Sequence, residues 1–244
     1  MTIQKQQAEI YQLHIWLRKI SPMVWRRLLI KSDNTIADLH FSIQILMGWS
    51  DTYLNQFFIH GKYYGVYHEG GISFCDDPRK IHLKDFEFRV NERFVYEYNF
   101  FDHWQYEIRI EQILLTAQKK IYPVCIGGNY VAPPEDCGGP MAFMALTEHY
   151  SSWRIQEKFL QCLKSYLAGK KEEKEDDSHD NDNSDDEDED YDEDVIDFEE
   201  IGNTVKTLKY WVTRHQFNRR LVNQLLRRYA KGDDVNDIIQ EGEI

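Results

Sequence analysis

The sequence predicts an α+β domain: a mixed sheet with one packed helix, extended by a hairpin strand and C-terminal helices. Three observations point there. Apolar and polar residues alternate with the period of a strand over 10–18, 94–100 and 104–111. A single capped helical stretch interrupts the strands early. Two further helical patterns come only after residue 150, beyond a stretch crowded with Gly and Pro.

Tyr11, Leu13, Ile15 and Leu17 alternate with Gln12, His14 and Arg18, which predicts a half-buried first strand. Ser21-Pro22 breaks it and Val24–Ile30 resumes, giving a hairpin. Asp33, Asn34 and Thr35 then supply capping oxygens, with Asp38 three residues after Thr35. Ile36, Leu39, Ile43, Leu46 and Met47 follow at helical spacing, and Gly48 stands where the helix would end. Leu54–His60 reads as a strand closed by Gly61, and Ile81–Phe86 as one helical turn. Phe94, Tyr96, Tyr98 and Phe100 share one strand face. After a break at Asp102-His103, Trp104, Tyr106, Ile108 and Ile110 share the next. Strand, strand, helix, strand, short turn, strand is the order of the β-grasp architecture of ubiquitin, here over about 10–113 with one added hairpin strand.

Residues 121–140 read as a loop, because four Gly and four Pro punctuate them too often for a regular element. A helix is expected over 151–168, and Gly169 closes a first domain of 1–169. Thr204–Tyr229 reads as one amphipathic helix. Val205, Leu208, Trp211, Val212, Val222, Leu226 and Tyr229 lie on one side, opposite Lys206, Lys209, Arg220, Arg227 and Lys231.

Charge divides the chain more sharply than hydropathy does. Residues 1–169 balance 18 basic against 18 acidic side chains, whereas 170–200 carry 3 basic and 19 acidic. Residues 201–231 carry 8 basic and no acidic side chains, and 232–244 form an acidic tail of five carboxylates. The 170–200 stretch therefore reads as a disordered acidic linker beside a basic amphipathic helix. No apolar run approaches the roughly 18 residues of a membrane span. The polar opening lacks a secretory apolar stretch, and four cysteines in 244 residues are no disulfide scaffold. A soluble cytoplasmic protein is the expectation.

Six motifs occur in order: Pro22-x-x-Trp25-Arg26-Arg27, Leu39-His40-x-x-Ile43-Gln44, Gly48-Trp49, Tyr98-x-Phe100-x-Asp102-x-Trp104, Tyr122-Pro123-x-Cys125 and Pro133-Pro134-Glu135-Asp136-Cys137-Gly138-Gly139. Over about residues 10–150 the chain resembles the family named after an open reading frame of an agrobacterial Ri plasmid. Some members of that family carry the label of a TnpR passenger protein of an insertion element. The resemblance implies an α+β fold and an association with plasmids and mobile elements. The chain departs from the family pattern twice. Tyr106 stands where the family usually ends its Tyr-Asp-Phe-Gly-Asp-x-Trp-x-His run with histidine, and Tyr53 where a histidine usually precedes the leucine.

Asp102, His40, Glu135 and Asp136 are the candidate acid–base or metal-binding groups, with Trp104 as a wall, because paired carboxylates with a histidine can move protons or bind a divalent cation. The bland alternative is that the carboxylates cap backbone amides in a tight loop, and that His40 is a hydrogen-bonded helix residue. No closely spaced Cys pair signals zinc, so neither a metal nor a cofactor is expected. Trp25, Arg26 and Arg27 mix aromatic and basic groups as nucleic-acid surfaces do, or pack by cation–π contact. Lys206, Lys209, Arg220, Arg227 and Arg228 make the C-terminal helix a surface for a protein partner or DNA, masked by the acidic linker. No nucleophile sits in an arginine-rich setting, and no phosphate-binding glycine loop appears, so recombinase chemistry is not expected. The main expectation is a non-enzymatic accessory module of a mobile element. The second is a hydrolase- or nuclease-like enzyme at Asp102, His40, Glu135 and Asp136, which requires those groups to converge.

Overall fold

A computed structural model describes residues 9–66, 74, 76–117, 119–150, 152–176 and 198–242. The chain divides into two compact units, Met1–Leu146 together with Arg214–Ile244, and Thr147–Thr213.

The first unit is built on a seven-stranded sheet. Its strands are β1 (Glu9–Leu17), β2 (Trp25–Lys31), β3 (Asn55–Ile59), β4 (Lys62–Tyr64), β5 (Arg93–Tyr98), β6 (Trp104–Leu115) and β7 (Val124–Asn129). They lie in the order β4-β3-β5-β6-β1-β2-β7, and every neighbouring pair is antiparallel. The α+β class holds, but the sheet is not mixed. A β-grasp sheet pairs its first and last strands directly and in parallel. Here the added hairpin strand β6 enters between β5 and β1, matching Glu9 with Leu115 and Leu17 with Tyr106. The β5–β6 turn makes this possible: Asn99 has φ 51°, and its carbonyl accepts the amides of Asp102 and His103.

Helix α1 (Ile36–Met47) begins as its sequence dictates. Thr35 accepts from the Asp38 amide while Asp38 accepts from the Thr35 amide, a complete capping box. Gly48 closes the helix at φ 70°, its amide donating to the Gln44 carbonyl. Leu39, Ile43 and Leu46 join Leu13, Ile15, Leu28, Ile30, Phe57, Ile108 and Ile110 in the buried interior. The expected helical turn is a 3-10 turn at Leu83–Phe86.

Within the expected loop 121–140, β7 forms and pairs with β2. Its glycines serve close approach rather than turning. A Cβ on Gly127 would sit 3.3 Å from the Trp25 ring, and one on Gly128 would sit 2.5 Å from Phe217. Helix α2 (Gly139–His149) follows.

The expected single C-terminal helix is two: α4 (Phe198–Thr213), in the second unit, and α5 (Arg219–Lys231), in the first. The break has a physical cause. Asn218 caps α5 by accepting from the Leu221 amide, and Phe217 packs under Arg26, whose guanidinium carbon lies 3.8 Å from the ring centre. Part of the acidic tail is also helical. In α6 (Val235–Gly242) Ile238 and Ile239 are buried, and α5 and α6 both pack against α1.

The second unit holds α3 (Ser152–Asp176) and α4, with Tyr150 stacked on Trp211 at 5.0 Å. The helix expected at 151–168 runs on past Gly169 to Asp176. Most of the acidic linker, residues 177–197, lies outside the described residues. Among the described residues, no helix is long and apolar enough to cross a membrane.

Candidate functional site

The four candidate acid–base groups all lie in the first unit, but they do not form one set. His40, on α1, is fully buried and committed at both ring nitrogens: Nε2 is 2.7 Å from Asp51 Oδ1, and Nδ1 is 2.8 Å from the Tyr96 hydroxyl. Gln44 Nε2 also donates to that hydroxyl at 2.8 Å. Both ring nitrogens of His40 are therefore taken up by partners within the fold. Burial raises Tyr96 well above the usual tyrosine range, so it stays a neutral donor.

Glu135 belongs to a different network. Its carboxylate accepts from the Ser50 amide at 3.2 Å and from the Tyr98 hydroxyl at 2.9 Å. Its carbonyl accepts from Asn99 Nδ2 at 3.0 Å and from Trp104 Nε1 at 2.9 Å. Trp49 Nε1 holds the loop two residues earlier, at the Pro133 carbonyl, 2.8 Å away. Three indole and amide donors thus pin a loop whose prolines contribute no donors of their own. Trp104 is fully buried and lines no open wall.

Asp102 accepts from the Gly138 amide at 3.1 Å. A Cβ on Gly139, at φ 79°, would lie 2.2 Å from the Asp102 carbonyl, so the Gly138-Gly139 pair is what lets the loop meet the β5–β6 turn. Asp136 is exposed. Burial and the charges of Asp136, Glu135 and Asp102 push the Tyr53 hydroxyl up. Cys137 is pushed up to about 11 by burial and by Asp102 and Asp136, so it holds its proton at neutral pH. Among the described residues, no group of three or more His, Cys, Asp or Glu side chains is placed to hold a metal ion.

The two departures from the family pattern flank Glu135's partner Tyr98. The Tyr53 amide donates to the Tyr98 hydroxyl at 3.3 Å, and the Tyr53 ring lies 5.9 Å from the Tyr98 ring. Tyr106 packs on Trp49, which itself stacks on Tyr98, and the buried Tyr106 hydroxyl has no hydrogen-bond partner.

The Trp25-Arg26-Arg27 motif separates by strand alternation. Arg26 points inward at 1% exposure. Its Nε donates to the Leu46 carbonyl at 3.0 Å, and Nη1 donates to the carbonyls of Trp25 and Asn129 at 2.8 and 2.9 Å. Burial lowers it to about 10, still cationic at neutral pH. A cation at the last carbonyls of α1 supplies from β2 what the helix's own last turn lacks. Arg26 is a fold clamp, and only Trp25 and Arg27 face outward with Gln12 and His14.

The basic C-terminal residues also divide. Lys206 and Lys209 are exposed on α4, whereas Arg220 and Arg227 are exposed on α5. Arg228 is occupied: its Nε donates to Asp233 at 2.9 Å, and it also pairs with Glu241. Opposite, Val222, Leu225 and Leu226 are buried, and the Tyr229 hydroxyl donates to Asp38 at 2.7 Å. Asn223 bonds the backbone of Cys125 in both directions at 2.8 Å, so α5 satisfies the outer edge of β7. The amphipathic pattern allowed for an apolar face docked on the domain, but not for the β7 edge it covers or for the cap at Asn218.

Comparison with known proteins finds a family model, a relative and a solved structure among the matches. The family model described as plasmid pRiA4b ORF-3-like protein matches residues 9–200. The uncharacterized protein y4hQ of Sinorhizobium fredii (strain NBRC 101917 / NGR234) is 27% identical over 142 residues, 58% of this chain and 73% of its own length. The crystal structure of MM3350 from Methanosarcina mazei Go1, titled a protein of unknown function, is similar at a TM-score of 0.53 and 31% identity. That match covers 60% of this chain and 84% of the other.

Proposed function

Because the chain belongs to the plasmid pRiA4b ORF-3-like family, we propose that it is a cytoplasmic, non-enzymatic accessory module of a plasmid or mobile element that binds an acidic protein partner through the outer face of α5. The observation that carries this reading is the exposed stripe of Arg220, Arg227 and Lys231. At 100° per residue these three fall within about 40° of one another, opposite the docked Val222, Leu225 and Leu226. The helix is held firmly by its buried side and offers cations on the other. The commitment of His40, Glu135 and Asp102 to hydrogen bonds that hold the fold leaves the enzyme reading without a free acid–base pair.

An acidic protein segment suits this stripe better than DNA does. With Arg228 paired to Asp233 and Glu241, and Arg219 turned to the Ile126 carbonyl, the outer stripe presents three cations, enough for about three phosphates and only weak duplex binding. The acidic stretch of the same chain competes for those cations at the millimolar or higher effective concentration of a tether.

The experiment is retention of a poly-glutamate peptide at low and high salt, with duplex DNA in parallel. Changing the Asp and Glu residues of 180–194 to Asn and Gln should strengthen peptide retention several-fold. Replacing Arg220, Arg227 and Lys231 by Ser should abolish that gain. Retention unchanged by both variants, or stronger retention of duplex DNA than of the peptide, would overturn the proposal.

A further inference from the structure

The registers of the first unit bring together residues far apart in sequence. Arg93 lies opposite Arg109, Arg109 opposite His14, and His14 opposite Arg27. These four side chains form one file across β5, β6, β1 and β2. At roughly 4.8 Å per strand the file is about 14 Å long. Like charges directly opposite one another destabilise a sheet. Among the described residues two carboxylates offset this: Glu107 holds Arg93 at 2.7 Å, and Glu111 holds Arg27 at 2.5 Å and Arg109 at 3.3 Å and lies 3.9 Å from His14.

On one side of the file, Trp16 lies opposite Trp25. The His14 ring sits 5.0 Å from Trp16 and 5.4 Å from Trp25, while Arg93 and Arg27 lie over those two rings at 5.7 and 5.3 Å. On the other side is a groove of about 450 Å³ lined by Gln12, Arg27, Asn91, Arg109, Glu111 and Gln112. One bulge brings Glu111 into it, and a second lies nearby on the far side of β2. The β1–β6 register shifts between Gln12 and Leu13, leaving Glu111 as the extra residue, and the β2–β7 register shifts between Arg27 and Leu28, leaving Ile126. Bulges re-aim side chains and recur beside binding sites. Inside the groove, Arg109 Nε is buried with no acceptor.

We infer that this sheet face is a binding site for single-stranded nucleic acid, separate from the α5 surface and independent of its reading. Unpaired bases stack on Trp16 and Trp25 in place of the Arg93 and Arg27 guanidinium groups, whose nitrogens not held by Glu107 and Glu111 turn to phosphate oxygens, and the amides of Gln12, Asn91 and Gln112 meet base edges. Paired cations and half-buried rings on a sheet face are what an unstacked strand needs, whereas a duplex keeps its bases from the rings.

The test is anisotropy of a labelled ten-nucleotide single strand at low salt. It is titrated with the full chain and with the variant whose acidic residues 180–194 are neutralised. Saturable binding is expected, weakened roughly 10-fold or more by Trp16→Leu and by Arg93→Gln, with far-UV circular dichroism confirming that each variant is folded. Replacing Arg220, Arg227 and Lys231 by Ser should leave it unchanged, which separates this site from the proposed function. No saturable binding in either protein, equal binding of a hairpin duplex, or full affinity in folded Trp16→Leu and Arg93→Gln would each overturn the inference.

Discussion

Arg26→Met removes a buried guanidinium while keeping a side chain of similar reach, and its cost can be worked from the contacts. Three carbonyls, of Leu46, Trp25 and Asn129, lose a charged donor. Each acceptor left short costs about 1–2 kcal/mol in the interior. The Phe217 ring loses a cation over its face, about 1–2 kcal/mol more when desolvated. Against this, the variant no longer buries a cation. The lowering of Arg26 from 12.5 to about 10 sets that relief on the order of 3 kcal/mol. The net loss is about 1–5 kcal/mol. In urea unfolding, with a slope of about 2 kcal/mol per molar, the midpoint should fall by about 0.5–2.5 M. Hydrogen exchange gives a sharper readout, because Arg26 and Phe217 join β2 to the segment leading into α5. Amides of α5 should exchange faster in the variant than those of β1 and β6. A midpoint shift under about 0.3 M, or exchange that rises equally everywhere, would refute the clamp.

Glu111 is depressed to about 2, first by its hydrogen bond to Arg27, so it stabilises the fold above pH 4.5, and that contribution is lost as pH falls toward 2. Glu111→Gln should therefore cost about 1–2 kcal/mol at neutral pH and flatten the acid limb of stability between pH 4.5 and 2, read by chemical unfolding across that range. Gly128→Ala places a methyl 2.5 Å from Phe217 and 2.9 Å from Arg26, and should destabilise by about 1–3 kcal/mol in thermal melts; a neutral outcome would mean that the ring moves aside freely. Tyr229→Phe removes the hydroxyl that donates to Asp38. It should cost about 1 kcal/mol, and no change in unfolding midpoint would show that the docking of α5 is apolar alone.

Much of the fold was legible because its signals are local. The Thr35–Asp38 capping box and Gly48 lie within one helix length of what they govern, and the alternation through Tyr11–Leu17 and Trp104–Ile110 needs no knowledge of partners. Where similar local signals have two meanings, the reading failed. Gly127 and Gly128 look like turn residues, yet they sit in a strand because Trp25 and Phe217 need the space above them. The continuous periodicity of 204–229 concealed a break that depends on Phe217 meeting Arg26, nearly two hundred residues earlier.

The candidate site shows the same division. The sequence by itself determined that Glu135 and the glycine pair lie in one tight loop, since proline and glycine limit what that backbone can do, and only the structure brought Asp102 against it. Only the tertiary structure decided that Trp49, Asn99 and Trp104 donate to that loop and that Tyr98 occupies the Glu135 carboxylate. It alone turned Arg26 inward and Arg27 outward, and it alone set Arg93, Arg109, His14 and Arg27 in one file. The physical reason is register. A strand's period assigns each residue to a face, but which residues meet across that face depends on hydrogen-bonded pairing and on two bulges, and these are fixed by packing between segments far apart in the chain.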